Sequence, residues 1–144
     1  MLWMTIKAIS MVSKNFDNLI YLIIGEGPEK SQLNVLTNNL NLDAKVKFLG
    51  HVSDELKFSI LKYSRIYLMP NHSNDGNDFE GFGIGFIEAS YQENVVIGGC
   101  HGGAVESVID KETGFLLDFN KSKSSQIVKL SNIIQELCLN PIMI

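Results

Sequence analysis

Two kinds of hydrophobic pattern alternate along this chain: short apolar runs, and stretches in which apolar residues recur at helical spacing. Leu2, Ile6, Ile9 and Val12, with Ala8 and Met11 nearby, predict a helix over residues 2–13. Residues 19–24 are apolar almost without a break and rich in β-branched side chains, the pattern of a strand buried on both faces of a parallel sheet. The run ends in Gly25-Glu26-Gly27-Pro28, and proline in a first turn predicts a helix over 28–40. Lys45 opens a short strand over 45–49 that stops at Gly50. Ser53 is placed to cap a helix reaching to about residue 63, with Asp54 and Glu55 in its first turn. Residues 65–69 read as a strand stopped by Pro70, and 71–79 as a polar loop without periodicity. A helix over 83–92, a strand over 94–97, a glycine-rich loop over 98–103 and a short helix over 104–110 follow. A strand over 114–117 precedes a last helix over 121–139, whose apolar face carries Ile127, Leu130, Ile133, Ile134 and Leu137.

Regular alternation of helices with short apolar strands predicts an α/β fold, a doubly wound, Rossmann-like parallel sheet in one domain over 1–144. Ligands of such sheets bind beyond the carboxyl ends of the strands. The loops at Gly25, at Gly50, before Gly83 and over 98–103 all follow strands and are expected on that edge. Because a doubly wound unit starts on a strand and this chain starts on a helix, its first strand is expected to be absent and the domain truncated.

Composition narrows the partners. Hydrophobic residues make up 45% of the 144 and charged residues 19%, enough for a packed core. The net charge of -4 comes with no basic tract, so nucleic acid is not an expected partner. Two cysteines, Cys100 and Cys138, make neither a disulfide framework nor a metal-ligand pattern, and suit a reducing compartment. The apolar start lacks the basic region and cleavage site of a signal peptide, and no run is long enough to span a membrane.

The candidate chemistry is concentrated between Asp78 and Glu106. Glu80 precedes the turn Gly81-Phe82-Gly83, and Glu88 follows eight positions after it. Glycines there let the backbone approach a ligand or take positive φ. A helix starting near Gly83 would present unpaired N–H groups and the positive end of its dipole, which suits a diphosphate. Carboxylates beside it suit the vicinal hydroxyls of a sugar or ribose. Glu106 reads equally well as a dipole-complementing charge or as a ligand. Cys100-His101 lacks an orienting third partner and reads as loop lining. Gly25-Glu26-Gly27 departs from a dinucleotide fingerprint, because Lys30 holds the third glycine position and no acid follows the next strand.

Taken in order, I-I-G-E-G-P at 23–28, V-K-F-L-G-H-V at 46–52, I-Y-L-M-P at 66–70, E-G-F-G-I-G-F-I-E-A at 80–89, V-V-I-G-G-C-H-G-G-A-V-E at 95–106 and T-G-F-L-L-D at 113–118 resemble the C-terminal, donor-binding domain of retaining glycosyltransferases with two Rossmann-like domains (the GT-B type). The resemblance implies that Glu80 contacts the donor sugar as the catalytic carboxylate and that Glu88 accepts hydrogen bonds from the ribose. It implies a donor site that also includes Gly81, Phe82, Gly83 and Ile84 at the phosphates, Gly25 and Gly27 on the floor, and His51 and Val52 beside the base. The implied donor is a GDP- or UDP-linked hexose, transferred with retention and without a metal or other cofactor. The polar loop over 71–78 resembles loops of phosphatidylinositol-type and other mannosyltransferases that use GDP-mannose.

The same resemblance sets limits. The Arg and Lys that grip the diphosphate in this family would precede Met1, and the N-terminal domain that receives the glycan or lipid acceptor is expected to be missing. The isolated chain is therefore expected not to catalyse transfer. It is expected in the cytoplasm or peripherally at the inner face of the membrane. Residues 90–95, S-Y-Q-E-N-V, depart from the family's small-residue turn. The rival readings are a catalytically inactive nucleotide-binding module, an epimerase of similar architecture, and a chain that only packs in a larger assembly.

Overall fold

The computed structural model describes residues 1–70, 83–118 and 121–140. The chain divides into two compact units, one of Leu2–Asp54 with Ile127–Met143 and one built on Glu55–Gln126. Every strand pairing between named strands is parallel.

In the first unit, α1 (Leu2–Val12) leads to β1 (Tyr21–Ile24), α2 (Lys30–Asn39) and β2 (Val46–Gly50). β1 pairs with β2 in register Tyr21–Val46 through Ile24–Gly50, with one irregularity between Ile23 and Ile24. α1 buries Met4, Thr5, Ile6, Ala8, Ile9 and Val12, which is wider than a single stripe and explains its almost wholly apolar sequence. The Lys45 ammonium donates to the carbonyls of Ser13, Phe16 and Asp17 at 3.0–3.2 Å, a cation closing the chain just past the end of α1. Pro28 and Glu29 form a turn ahead of α2 rather than its first residues, and the Lys30 N–H donates to the Gly27 carbonyl at 3.2 Å.

In the second unit, α3 (Asp54–Tyr63), most of which lies here, leads to β3 (Ile66–Met69). α4 (Ile84–Tyr91), β4 (Val95–Gly99), α5 (Gly103–Ser107) and β5 (Gly114–Leu117) follow. The strands pair in the order β3-β4-β5. Leu61, Phe86, Ala89, Val96, Ala104 and Val108 form the buried core, with Tyr67, Met69 and Leu116 packed on it. α6 (Lys123–Leu139) follows, and from Ile127 onward it belongs to the first unit.

α5 is shorter than the helix expected over 104–110. Val108 is buried and extended (φ -125°, ψ 124°), and Asp110 bridges to Gly114. The Asp110 carboxylate accepts the Leu116 N–H at 2.8 Å, and Thr113 Oγ1 accepts the Ile109 N–H at 2.9 Å. Burial of Val108 and entry into β5 thus outweigh further helix. The turn over 90–95 is built on Glu93, at φ 62°, and on buried Asn94. Asn94 Nδ2 donates to the carbonyls of Leu61 (2.8 Å), Ala89 (3.2 Å) and Gln92 (3.2 Å), tying the ends of α3 and α4 to the start of β4. Among the described residues no helix is long and apolar enough to cross a membrane.

Candidate functional site

α5 starts just after β4 ends, so its N-terminus lies at the carboxyl end of that strand, the side on which parallel sheets bind ligands, and the start of α4 lies against it. Gly83, immediately before α4, has φ 65° and ψ 35°, a conformation open to glycine and costly for other residues. A Cβ there would also meet the Gly103 carbonyl oxygen at 2.8 Å and Ser107 Oγ at 2.9 Å, so the start of α4 rests on α5. The Gly83 carbonyl accepts from the N–H of Phe86 (2.8 Å) and Ile87 (3.3 Å). The N–H groups of Ile84 and Gly85 belong to the first turn and have no acceptor within the helix. This geometry can hold an anion against the positive end of α4.

Glycine recurs where α4 meets the sheet. At Gly85 a side chain would run into the Tyr67 hydroxyl, and at Gly98 a Cβ would lie 2.8 Å from Phe86 Cζ. The Tyr67 and Phe86 rings meet edge to face, centroids 5.6 Å apart at 86°, and the Tyr67 hydroxyl donates to Met69 Sδ at 3.0 Å. Burying Phe86 contributes about 2–3 kcal/mol by area.

Glu88 is the fifth residue of α4 and is half-buried. The Lys57 ammonium, from α3, lies 3.2 Å from Glu88 Oε1 and 3.1 Å from Oε2, with side-chain exposures of 32% for Lys57 and 24% for Glu88. Lys57 also stands 5.0 Å from the centroid of the Phe58 ring. The two partners of this pair are 31 residues apart, and no local spacing announces it.

In the other unit, the Gly25 N–H donates to the Gly50 carbonyl at 2.8 Å where β1 and β2 end. His51, exposed, and Val52, half-buried, follow Gly50, and Gly27 lies exposed two residues past Gly25. Beside them is a pocket of about 310 Å³, whose lining includes Leu2, Ile23, Gly25, Gly27, Leu33 and Phe48. Glu26 and Lys30, also in its lining, are joined at 2.9 and 3.1 Å. The hydrogen bond from Lys30 holds the Glu26 carboxyl below its usual range; slight desolvation opposes this, and the charges of Lys30 and His51 add to it. This pair follows the i, i+4 spacing and was open to detection from sequence.

Glu80, Gly81, Phe82 and the polar loop over 71–78 lie outside the described residues. Glu106 is exposed in the first turn of α5. Cys100 and His101 belong to the β4–α5 loop, where their N–H groups donate to the carbonyls of Leu117 (2.9 Å) and Gly99 (2.8 Å). Among the described residues no three His, Cys, Asp or Glu side chains converge to hold a metal ion.

Known proteins share both the sequence and the fold. The chain is 33% identical over 138 residues to the GDP-mannose-dependent monoacylated alpha-(1-6)-phosphatidylinositol monomannoside mannosyltransferase of Corynebacterium glutamicum, a match covering 95% of this chain and 34% of that protein. It thus spans about a third of the length of the curated relatives it matches first. The C-terminal domain of the glycosyl transferase group 1 protein LpcC from Francisella tularensis superposes with a TM-score of 0.78 at 23% identity, over 97% of this chain and 69% of that one. The pneumococcal O-GlcNAc transferase GtfA, solved with UDP and GlcNAc, superposes with a TM-score of 0.82 at 22% identity, over 97% of this chain and 26% of that one. At these identities the two structures establish the fold, that of GT-B glycosyltransferase domains. The family model for glycosyl transferases group 1 matches residues 3–137, and the chain belongs to that family.

Proposed function

We propose that this chain binds the donor of a hexosyl transfer, a GDP- or UDP-linked sugar, with its diphosphate at the N-terminus of α4 and its ribose at Glu88. The observation that carries the reading is the start of α4: a left-handed Gly83 packed on α5, N–H groups after it with no acceptor within the helix, and a half-buried carboxylate one turn further on. A helix N-terminus in that setting stabilises the negative charge that grows on a departing nucleoside diphosphate. A carboxylate accepts hydrogen bonds from both hydroxyls of a ribose. In the same reading Glu80 is the catalytic carboxylate of a transfer with retention, Gly25 and Gly27 belong with the phosphates, and His51 and Val52 with the base. GDP-mannose dependence in the Corynebacterium relative and the UDP and GlcNAc bound to the pneumococcal neighbour support a nucleotide-sugar donor.

The glycan or lipid acceptor belongs to a part of the enzyme outside this chain, which is the donor half of a cytoplasmic or peripherally membrane-associated transferase. In this reading no metal or other cofactor takes part, and the helix terminus supplies a share of the counter-charge. Isothermal titration with GDP, UDP and ADP tests the reading. Binding of at least one nucleotide is expected, persisting in EDTA and weakened about tenfold by Glu88→Gln, the equivalent of about 1.4 kcal/mol. Absence of binding by all three, or an unchanged affinity in Glu88→Gln, overturns it. Incubation of the chain with GDP-mannose or UDP-glucose and acceptor glycans is expected to give no product, and turnover would show that the chain is sufficient for catalysis.

A further inference from the structure

We propose that Lys57 is a positioning residue for ribose recognition: its ammonium fixes the Glu88 carboxylate and offsets its charge, so that the carboxylate can accept a vicinal diol next to an anionic diphosphate. The inference rests on the reading of Glu88 given above.

A glutamate with three side-chain rotors does not hold one orientation on a half-exposed helix face unless something fixes it. Lys57 lies within 3.2 Å of both carboxylate oxygens, so rotation about the last bond of Glu88 is restrained. A carboxylate has about four lone-pair positions, and one ammonium engages at most one on each oxygen, which leaves two for two hydroxyls. Charge gives a second reason. A bare carboxylate one turn from a bound diphosphate would repel it, whereas the Lys57–Glu88 pair is neutral and can stand there without that penalty. The partner also comes from another element, α3, whose end is tied to the end of α4 through Asn94. The spacing between ammonium and carboxylate is therefore set by the core of this unit rather than by one helix alone.

The test compares the affinity of the chain for GDP and for 2′,3′-dideoxy-GDP, and for the corresponding UDP pair, by titration calorimetry. In the wild type a preference of about tenfold or more for the ribonucleotide is expected, from two hydrogen bonds to a charged acceptor. Lys57→Met, or Lys57→Gln should the first variant fold poorly, reduces that ratio to about threefold or less, and Lys57→Arg restores it. A role in stability alone would weaken both nucleotides together and leave the ratio unchanged. An undiminished ratio in Lys57→Met, or tighter binding of the ribonucleotide, overturns the role of Lys57 and leaves the reading of Glu88 in place. A wild type without preference, or a preference that survives Glu88→Gln, overturns the reading of Glu88 and this inference with it.

Discussion

Gly83 lies so close to Gly103 that a methyl group on the first would stand 2.8 Å from the carbonyl oxygen of the second. The contact joins the starts of α4 and α5, and it coincides with a backbone conformation at Gly83 that side chains resist. Two independent penalties therefore fall on one position. Gly83→Ala is expected to lower stability by about 1–3 kcal/mol and to weaken nucleotide binding, since the first turn of α4 must shift. Gly27 is the contrast: nothing lies within 4 Å of a Cβ built there and its φ is not left-handed. Gly27→Ala is expected to change stability by less than about 0.5 kcal/mol. Urea denaturation of the two variants checks the difference, and equal effects would count against the geometry at Gly83.

Asn94 does in one side chain what a small-residue turn does by backbone alone. Replacing it by alanine removes three hydrogen bonds to backbone carbonyls in a buried place, at an expected cost of about 1–3 kcal/mol. Asn94→Asp puts a carboxylate against three carbonyl oxygens and is expected to cost more than the alanine variant. The order of the two denaturation midpoints is the measurement, and an aspartate variant as stable as wild type would contradict the contacts described.

Acid acts on the Glu26–Lys30 pair. A carboxyl whose folded pKa lies below its ordinary 4.5 adds stability above that value, and the contribution is lost as pH falls through the folded pKa. Both side chains are well exposed, 39% for Lys30 and 43% for Glu26, so the effect is small. Glu26→Gln is expected to remove it. Denaturation midpoints of wild type and variant should differ at about pH 5.5 and converge as pH falls through the lowered folded pKa.

Much of the architecture could be read from the chain because its strands are apolar runs and its helices carry their own periodicity. β5 lies at residues 114–117, as its pattern indicates, and α1, α3 and α4 differ from expectation by a residue or so. The departures have local causes. Pro28 begins a turn ahead of α2, and burial of Val108 cuts α5 short because the core claims that side chain. Of the glycines in the α4 segment, Gly83 takes the positive φ that its residue type allowed, while the close packing of Gly83 on α5 and of Gly85 on Tyr67 emerges only in the fold. The Lys57–Glu88 pair left no trace in the sequence: its partners sit on different helices, and only the fold joins them. The clamp by Asn94 was visible only as a departure at 90–95, since a side chain that bonds three carbonyls looks in sequence like any polar turn residue.

The two tight contacts beneath α4 also limit how the unit can move. Tyr67 fills the space under Gly85 and Phe86 is seated over Gly98, so a roll or slide of the helix along β4 requires these side chains to move as well. Adjustment of Glu88 toward a ligand then falls to torsions of its own side chain, within the range that its contact with Lys57 allows. An enzyme built on this segment would meet its donor with a rigid receptor surface and confine slower rearrangement to the parts of the chain that carry no such interlock.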